Sequence, residues 1–277
     1  MKKMYKILEK KALNKDIDYL LVEAPLVASH AKAGHFVLLR IDELGERIPL
    51  TIVGTKGDGV ELIVQKVGYT TKQIGSMKAG EEFLDFMGPL GNAVEIDASK
   101  KRVLGVAGGV GAAPLLPQLK AYHDAGVTVD LLYGARSKDL LILLDAFSTI
   151  CEHVHITTDD GSLGDKGFVT DKIDQLMDEH AYDHAIVIGP LVMMKYASKA
   201  LMDHGVETFV SLNPIMIDGT GMCGNCRVLI DDKTYFACID GPDFKAKGID
   251  FDLLMARQNY YKEEEHVCKI GRGYNER

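Results

Sequence analysis

Four residues near the C-terminal end of this chain have the types and spacing of ligands for a metal cluster. Cys223 and Cys226 form a C-x2-C pair, and Cys238 follows after eleven residues. Asp218 stands five positions before Cys223, so the array is D-x4-C-x2-C-x11-C. Plant-type 2Fe–2S proteins bind their cluster through C-x4-C-x2-C and a distant fourth cysteine. The spacing therefore predicts a 2Fe–2S cluster bound by Asp218, Cys223, Cys226 and Cys238, with a carboxylate oxygen as one ligand.

Two other interpretations of these residues stay open. Three cysteines and one aspartate also suit a tetrahedral zinc ion, although zinc ribbons usually carry two C-x2-C pairs and this chain has one. The Asp218 side chain could instead close an Asx turn in its glycine-rich loop. Of the remaining cysteines, Cys151 lies in an apolar stretch that predicts a core position, and Cys268 receives no role.

A second candidate site is the glycine-rich stretch GVAGGVGAAP, residues 105–114. It follows a predicted strand and opens a predicted helix, which is the setting of a nucleotide-binding loop. Gly108, Gly109 and Gly111 would let the backbone approach a pyrophosphate, and the helix N-terminus would supply unpaired N–H groups. Pro114 suits the first helical turn, where a missing N–H is tolerated. A tight strand-to-helix turn without a ligand is the alternative.

The strand after this loop does not settle the choice between NAD and NADP. Dinucleotide-binding folds usually carry an acidic residue at the end of that strand. Here Asp130 lies within the strand, and Ala135, Arg136 and Ser137 follow it. Arg136 and Ser137 are candidates for a contact with a cofactor phosphate, or they are simply solvated.

Three successive regions must position these residues. Residues 1–98 contain short apolar strands separated by glycine turns, which predicts an antiparallel β-barrel. Residues 99–211 alternate apolar strands with helical patterns, which predicts a parallel sheet in an α/β domain. Residues 212–277 are rich in glycine and cysteine and then polar and helical. The predicted fold class is thus a β-barrel, an α/β nucleotide-binding domain and a small C-terminal iron–sulfur domain.

The composition limits the possible functions. The chain has 277 residues and a formal net charge of −8. This charge argues against binding to nucleic acid or to an anionic membrane, because both need a basic patch. No apolar run is long enough to span a bilayer, and the N-terminus does not resemble a secretory signal, so a cytoplasmic location is expected. In a reducing compartment, the five cysteines are expected to be ligands or core residues rather than disulfides.

Several motifs, taken in order, resemble those of the electron-transfer subunit of dihydroorotate dehydrogenase and of the wider ferredoxin reductase-like group. The resemblance extends over nearly the full length of the chain. RIPLT (47–51), VGYTT (67–71) and MGPLGN (87–92) are similar to the flavin motifs of that group. Its nicotinamide loop, its late G-P-x-x-M segment and its last-ligand segment are similar to GGVGAAPLL, IGPLVMMK and FACIDGPDF.

This resemblance implies FAD, a 2Fe–2S cluster and NAD(H) as cofactors. It implies that Arg47 binds the FAD pyrophosphate, that Thr51 lies near flavin N5 at the catalytic position, and that Gly68 and Thr71 donate to phosphates. The same motifs add further cofactor-binding positions at Pro49, Leu50, Gly88, Gly189 and Pro190.

Asp218 decides the nearest resemblance. Orotate-linked subunits carry Cys at the first ligand position, whereas the loop D-G-T-G-M-C-G-N-C resembles the alpha subunits of NADH-dependent ferredoxin:NADP oxidoreductase and of sulfide dehydrogenase. This similarity implies an oxidoreductase subunit that exchanges hydride with NAD(H) and passes single electrons to a larger flavin and iron–sulfur partner subunit. It also implies electron bifurcation, with ferredoxin and NADP(H) reached through that partner. The dihydroorotate dehydrogenase subunit itself and a non-redox zinc-binding protein are the alternatives.

Overall fold

The computed structural model describes residues 4–260, and the first part of the chain forms a nearly closed antiparallel sheet. Its strands are β1 (Tyr5–Ala12), β2 (Ile17–Glu23), β3 (Phe36–Arg40), β4 (Ile48–Lys56), β5 (Gly59–Gln65), β6 (Glu82–Phe83) and β7 (Asp85–Leu90). They pair in the order β6-β1-β2-β5-β4-β3-β7. Apolar side chains fill one core, in which Ile7, Leu20 and Phe83 have no exposed surface. The predicted barrel is confirmed; two helices, α1 (Pro25–Ala28) and α2 (Tyr69–Ser76), pack against β5.

The second part is a parallel sheet with helices on both faces, as predicted. Its strands are β8 (Arg102–Gly108), β9 (Thr128–Ala135), β10 (His153–Thr158), β11 (Asp165–Lys166), β12 (His184–Ile188) and β13 (Glu207–Ser211). Its helices are α3 (Ala112–Asp124), α4 (Leu144–Ile150), α5 (Val169–Glu179) and α6 (Leu191–Asp203). Neighbouring residues of β8 face opposite sides of the sheet. Leu104 packs in one hydrophobic core with α5 and α6, and Val103 packs in another with α3 and α4. This explains why the strands are continuously apolar.

The order of the parallel strands creates a place for a ligand. The sheet runs β11-β10-β9-β8-β12-β13, so the chain moves to one side of β8 first and then to the other side, starting at β12. In open α/β sheets the crevice at the carboxyl ends of the strands, where the direction reverses, is the usual ligand site. The loops that follow β8 and β12 are therefore expected to form such a site together.

The third part contains a hairpin, a short strand and a helix. These are β14 (Arg227–Ile230), β15 (Lys233–Phe236), β16 (Asp243–Lys245) and α7 (Phe251–Gln258). Strand β16 pairs antiparallel with β13, so the large sheet continues beyond residue 211 into the C-terminal region. The proposed domain boundaries remain predictions, and Cys268 and the end of the predicted C-terminal helix lie outside the described residues. Within residues 4–260, no helix is long and apolar enough to cross a membrane.

Asp130 has a structural role at the edge of the sheet opposite the ligand crevice. Its carboxylate is completely buried and accepts hydrogen bonds from Arg102 Nη1 at 2.5 Å, from the Tyr182 hydroxyl at 2.8 Å and from the His153 backbone N–H at 3.1 Å. Burial raises the pKa of Asp130, but these hydrogen bonds and the Arg102 charge outweigh it and lower the pKa. Asp130 therefore cannot act as the ribose-binding acid. Cys151 is half-buried beside this core, and burial raises its pKa to about 12.

Candidate functional site

A cleft of about 1820 Å³ lies between the barrel and the parallel sheet. Strand β4, the start of α2 and the loops after β8 and β12 all contribute to its walls. Twelve of the thirteen residues predicted to bind FAD or NAD(H) line this one cleft. They are Arg47, Pro49, Leu50, Thr51, Gly68, Thr71, Gly108, Gly109, Gly111, Pro114, Gly189 and Pro190. Residues from two distant parts of the sequence thus meet at one surface.

Gly88 is the residue of this set that does not line the cleft. A Cβ atom at Gly88 would lie 2.7 Å from Val37 Cγ1 and 3.2 Å from the Phe36 carbonyl oxygen. Gly88 therefore packs against β3 inside the barrel wall. The structure thus places Gly88 outside the lining of the cleft, and its contact with a cofactor remains a prediction.

The barrel side of the cleft combines a fixed strand with an exposed cation. Leu50 and Thr51 are paired in register with Val37 and Phe36 of β3, so their backbone positions are set by the sheet. Arg47 precedes β4, exposes 42% of its side chain and makes a 3.6 Å contact with Asp85. Because a guanidinium has five donors, Arg47 keeps donors that can turn toward an anion in the cleft.

The start of α2 is capped by its own residues. Thr71 Oγ1 accepts the backbone N–H groups of Gly68 at 2.9 Å and of Val67 at 3.0 Å. The Thr71 hydroxyl in turn lies 3.2 Å from the Gly68 carbonyl oxygen, to which it donates. The two groups predicted to donate to phosphates are therefore already used in this cap. Their contact with a phosphate remains a prediction and requires the cap to open.

The glycine loop after β8 is packed tightly against the end of β12. Ala107 and Ile188 are paired in these adjacent strands. A Cβ atom at Gly111 would lie 2.2 Å from the Ile188 carbonyl oxygen, so only glycine allows this approach. A short 3-10 turn (Gly109–Gly111) leads directly into α3, which places a helix N-terminus at the cleft.

Tyr133 holds this loop in place, and the sequence analysis did not identify it. Its buried hydroxyl donates to the Gly109 carbonyl at 2.9 Å and accepts the Ile142 N–H at 3.1 Å. Burial raises the pKa of Tyr133 to about 12, so it stays protonated and able to donate. Its aromatic type at the end of an apolar strand is the normal signature of a core residue, which is why no sequence signal revealed this role.

We predict that Tyr133→Phe loosens the loop without removing the core packing of the ring. The Gly109 carbonyl and the Ile142 N–H lose their partner, and an unsatisfied buried polar group costs about 1–3 kcal/mol. Thermal unfolding should show a lower Tm, and NADH titration should show a higher Kd. Tyr122→Phe is the control, because Tyr122 is buried in the same core as Tyr133, while among residues 4–260 the hydrogen bond to the Gly109 carbonyl comes from Tyr133. An unchanged Kd in Tyr133→Phe would contradict the role given to the hydroxyl.

The outer end of the cleft is lined by charged and aromatic side chains. Arg136 follows β9, Asp159 follows β10, and Phe168 stands before α5; all three are exposed and line the cleft. The Asp159 N–H donates to the Ala135 carbonyl at 3.1 Å, so the ends of the two strands are held side by side. Among residues 4–260, no hydrogen-bond donor to the Asp159 carboxylate is observed.

The cysteine array is brought together by the hairpin of β14 and β15. Cys226 stands just before β14 and Cys238 just after β15, and the Ala237 N–H donates to the Cys226 carbonyl at 3.0 Å. Their sulfur atoms lie 3.2 Å apart and are buried, whereas Cys223 is exposed. Burial and the neighbouring Cys226 thiol raise the pKa of Cys238 to about 12. Two buried sulfur atoms at this distance suit a metal cluster, because a metal ion deprotonates the thiols that coordinate it even where burial has raised their pKa.

Asp218 lies at the start of the same loop and is held close to Cys223. Its Oδ1 accepts the Thr220 N–H at 2.9 Å and its Oδ2 accepts the Cys223 N–H at 2.7 Å. These backbone donors, Thr220 first, lower the pKa of Asp218, so the carboxylate is an anion. The geometry is that of an Asx turn, and each oxygen keeps a lone pair for a metal ion. Turn and ligand are therefore compatible roles for Asp218.

Comparison with known proteins agrees with these features. The sequence model of the protein family described as the iron–sulfur cluster binding domain of dihydroorotate dehydrogenase B matches residues 213–250. The family model for the oxidoreductase NAD-binding domain matches residues 106–199. A Thermotoga maritima protein named dihydroorotate dehydrogenase B (NAD(+)), electron transfer subunit homolog, is 43% identical over 263 residues, which is 94% of this chain and 93% of that protein. This chain belongs to the dihydroorotate dehydrogenase B electron-transfer subunit family.

Further relatives extend the family comparison. The electron transfer subunit of dihydroorotate dehydrogenase B from Fusobacterium nucleatum is 32% identical to this subunit over 250 residues, 86% of this chain and 94% of that protein. A solved chain from an NADH-dependent reduced ferredoxin–NADP oxidoreductase, studied for flavin-based electron bifurcation, is 42% identical, with a TM-score of 0.90 and 96% coverage of both chains. A cytochrome P450 reductase from Amycolatopsis, 23% identical with a TM-score of 0.63 over 73% of this chain, shares the fold.

The cofactor classes of this electron-transfer subunit are FAD, a 2Fe–2S cluster and NAD(H), as predicted. The match over residues 213–250 favours iron–sulfur over zinc for the cysteine array.

Proposed function

We propose that this subunit oxidises NADH in the cleft and passes single electrons through its 2Fe–2S cluster to a larger flavin and iron–sulfur subunit. We place it in an electron-bifurcating NADH-dependent ferredoxin:NADP oxidoreductase. One observation carries the proposal: the flavin motif and the nicotinamide loop line the same cleft, and so does Pro242, which stands four residues after Cys238. The chain therefore offers a short connection from a hydride-accepting site to a single-electron carrier.

The barrel side of the cleft is assigned to FAD. Arg47 supplies a charge-assisted donor for the pyrophosphate. Pro49, Leu50 and Thr51 form a fixed strand surface for the flat ring, and Thr51 is the proposed catalytic contact at N5. When bound, FAD accepts two electrons as hydride and releases them one at a time, which nicotinamide does not do.

The sheet side of the cleft is assigned to NAD(H). The loop at Gly108–Gly111 brings backbone close to the pyrophosphate, and the N-terminus of α3 adds unpaired N–H groups. Gly189 and Pro190, at the end of β12, form the neighbouring wall. We assign these backbone groups to binding the dinucleotide on the side of the cleft that faces the barrel.

Asp218, Cys223, Cys226 and Cys238 are assigned as the cluster ligands. Cys226 and Cys238 hold the buried side, whereas Cys223 is exposed and the neighbouring Met222 exposes 90% of its surface. The exposed side is where an electron can leave toward a partner subunit. When bound, the cluster accepts one electron at a time, which matches it to the flavin.

Two observations support the bifurcating assignment over an orotate-linked one. Asp218 replaces the first cysteine expected in orotate-linked subunits. The solved chain of the ferredoxin–NADP oxidoreductase covers 96% of this chain at 42% identity. Relatives named for dihydroorotate dehydrogenase B keep the second assignment open for the partner.

Anaerobic purification tests the proposal. We expect a red-brown protein with FAD, equal amounts of iron and acid-labile sulfide, and visible absorption that bleaches on addition of NADH. Co-purification should yield a larger flavin and iron–sulfur subunit with ferredoxin:NADP oxidoreductase activity. A dihydroorotate-oxidising partner would support the second assignment, and zinc without iron would overturn the redox role.

A further inference from the structure

The motif GPLGN (88–92) contacts the cluster-binding region rather than the cleft. None of its residues lines the cleft. Instead, the Asn92 N–H donates to the Gly241 carbonyl at 2.6 Å, and Asn92 Nδ2 donates to the Ile239 carbonyl at 3.1 Å. Both acceptors lie within three residues of Cys238. One asparagine of the barrel thus holds the backbone that follows the last cluster ligand.

The residue before Asn92 allows this contact to be close. Gly91 has φ +75°, and a Cβ atom there would lie 2.9 Å from the Gly241 carbonyl oxygen, from Pro242 Cδ and from Phe36 Cε1. Any side chain at Gly91 would force the barrel and the cluster region apart. Phe36 and Pro242 both line the cleft, so this contact lies directly between the cleft and Cys238.

A second contact holds the first-ligand loop to the barrel. Gly219, next to Asp218, is buried, and a Cβ atom there would lie 2.9 Å from both Leu38 Cδ1 and Leu90 Cδ1. Cys226 and Cys238 share one hydrophobic core with Phe36 and Leu38. The apolar packing therefore brings the two regions together, and the Asn92 hydrogen bonds fix how they are aligned.

We propose that Asn92 is a positioning residue that aligns the Cys238 segment with the flavin cleft and thereby sets the rate of electron transfer between them. The electron-transfer part rests on the proposed function; the alignment does not. In the step concerned, NADH supplies two electrons as hydride to the flavin and becomes NAD⁺. One electron would then pass from the reduced flavin to the oxidised cluster, and the second would stay on the flavin until the cluster has passed the first electron to the partner subunit. The rate of this electron transfer falls steeply with the distance between flavin and cluster, so a small shift of the Cys238 segment lowers the rate.

Asn92→Ala tests this with a matched control. It removes the side-chain bond to the Ile239 carbonyl and leaves the backbone bond to Gly241. Asn14→Ala removes a similar exposed bond between the barrel and the turn after β9, from Asn14 Nδ2 to the Asp139 carbonyl at 3.1 Å, together with the bond from the Asp16 N–H to Asn14 Oδ1 at 2.9 Å. Gly91→Ala is a second variant that disturbs the same contact by steric overlap.

Two readouts are measured in each variant. Hydrogen exchange at the Ile239 and Asp240 amides, which donate to the Phe236 carbonyl at 3.0 and 2.8 Å, should become faster in Asn92→Ala and Gly91→Ala but not in Asn14→Ala. In stopped-flow experiments with NADH, flavin reduction should keep its wild-type rate, whereas cluster reduction should be several-fold slower in both Asn92→Ala and Gly91→Ala. Iron and FAD contents should stay at the wild-type level.

Wild-type exchange and wild-type cluster reduction in both variants would overturn the proposal. Loss of iron from Asn92→Ala would also overturn it, because Asn92 would then maintain the ligand loop itself rather than its alignment. If the wild-type protein held no iron, the proposed function would fail, and the exchange measurement would still test the alignment.

Discussion

Asp218→Ala is expected to lose the 2Fe–2S cluster and to keep FAD. Asp218 is an anion whose carboxylate is held beside Cys223 by two backbone N–H groups. Removing an outer-shell partner of a metal ligand already lowers metal affinity by about 10–100-fold, so loss of a ligand is expected to do at least as much. The flavin-binding strand surface is formed by other residues and should be unaffected. Iron analysis, FAD content and EPR of the reduced protein measure the two effects.

Two further variants separate the ligand role of Asp218 from its role in the turn. Asp218→Asn keeps an acceptor for the turn but removes the anionic oxygen, so it should bind iron poorly. Asp218→Cys supplies the ligand type of orotate-linked subunits and should bind a cluster with a changed EPR spectrum. The control is Asp250→Ala, because Asp250 Oδ1 accepts the Leu253 N–H at 2.8 Å and caps α7 without belonging to the cysteine array. Unchanged iron and EPR in Asp218→Ala would leave Asp218 with the turn alone.

The sequence predicted what depends on local pattern. Buried parallel strands such as β8 are continuously apolar, and the glycine loop after it lies at a strand-to-helix junction, so both could be identified without a structure. The spacing of eleven residues between Cys226 and Cys238 also has a local cause. It is the length of a tight hairpin, with Asp231 and Asp232 at positive φ in its turn, that returns the chain to its starting point.

The sequence could not reveal what depends on contacts between distant segments. Thr71 matches a flavin motif, but its hydroxyl caps α2 because the Gly68 N–H is the nearest donor. GPLGN also matches a flavin motif, yet its asparagine donates a hydrogen bond to Ile239 in the Cys238 segment, 147 residues further along the chain. Asp130 is an acidic residue inside an apolar strand, and its buried pairing with Arg102 of the neighbouring strand depends on the folded sheet. In each case the residue type is evident from the sequence, whereas its partner is set by the tertiary structure.

We infer that Asp159, at the end of the next strand, takes the place of the acid missing from the end of β9. Thr158 of β10 is paired with Ala135 of β9, so Asp159 lies beside Arg136 at the edge of the cleft. A carboxylate there can accept a hydrogen bond from the 2′-hydroxyl of NADH and repels the 2′-phosphate of NADPH. The guanidinium of Arg136 has the opposite preference. Because no donor among residues 4–260 is seen to neutralise the Asp159 carboxylate, we expect it to dominate.

Asp159→Ser should therefore raise the ratio of kcat/KM for NADPH over NADH by about 10–100-fold, since removal of one repulsive charge next to a phosphate corresponds to about 1–3 kcal/mol. Arg136→Ala should change the ratio in the opposite direction. The dissociation constants of NAD⁺ and NADP⁺, followed by flavin absorbance, should change in the same way, which tests binding apart from turnover.

Asp160 provides the matched control for this experiment. It is also an exposed aspartate at the end of β10, but its Oδ1 accepts the Ser162 N–H at 2.9 Å and it does not line the cleft. Asp160→Ser should therefore leave the ratio unchanged. An equal change of the ratio in both variants would mean that the total charge of the residues after β10 selects the nucleotide. An unchanged ratio in Asp159→Ser would mean that the preference for NADH is determined by another part of the cleft.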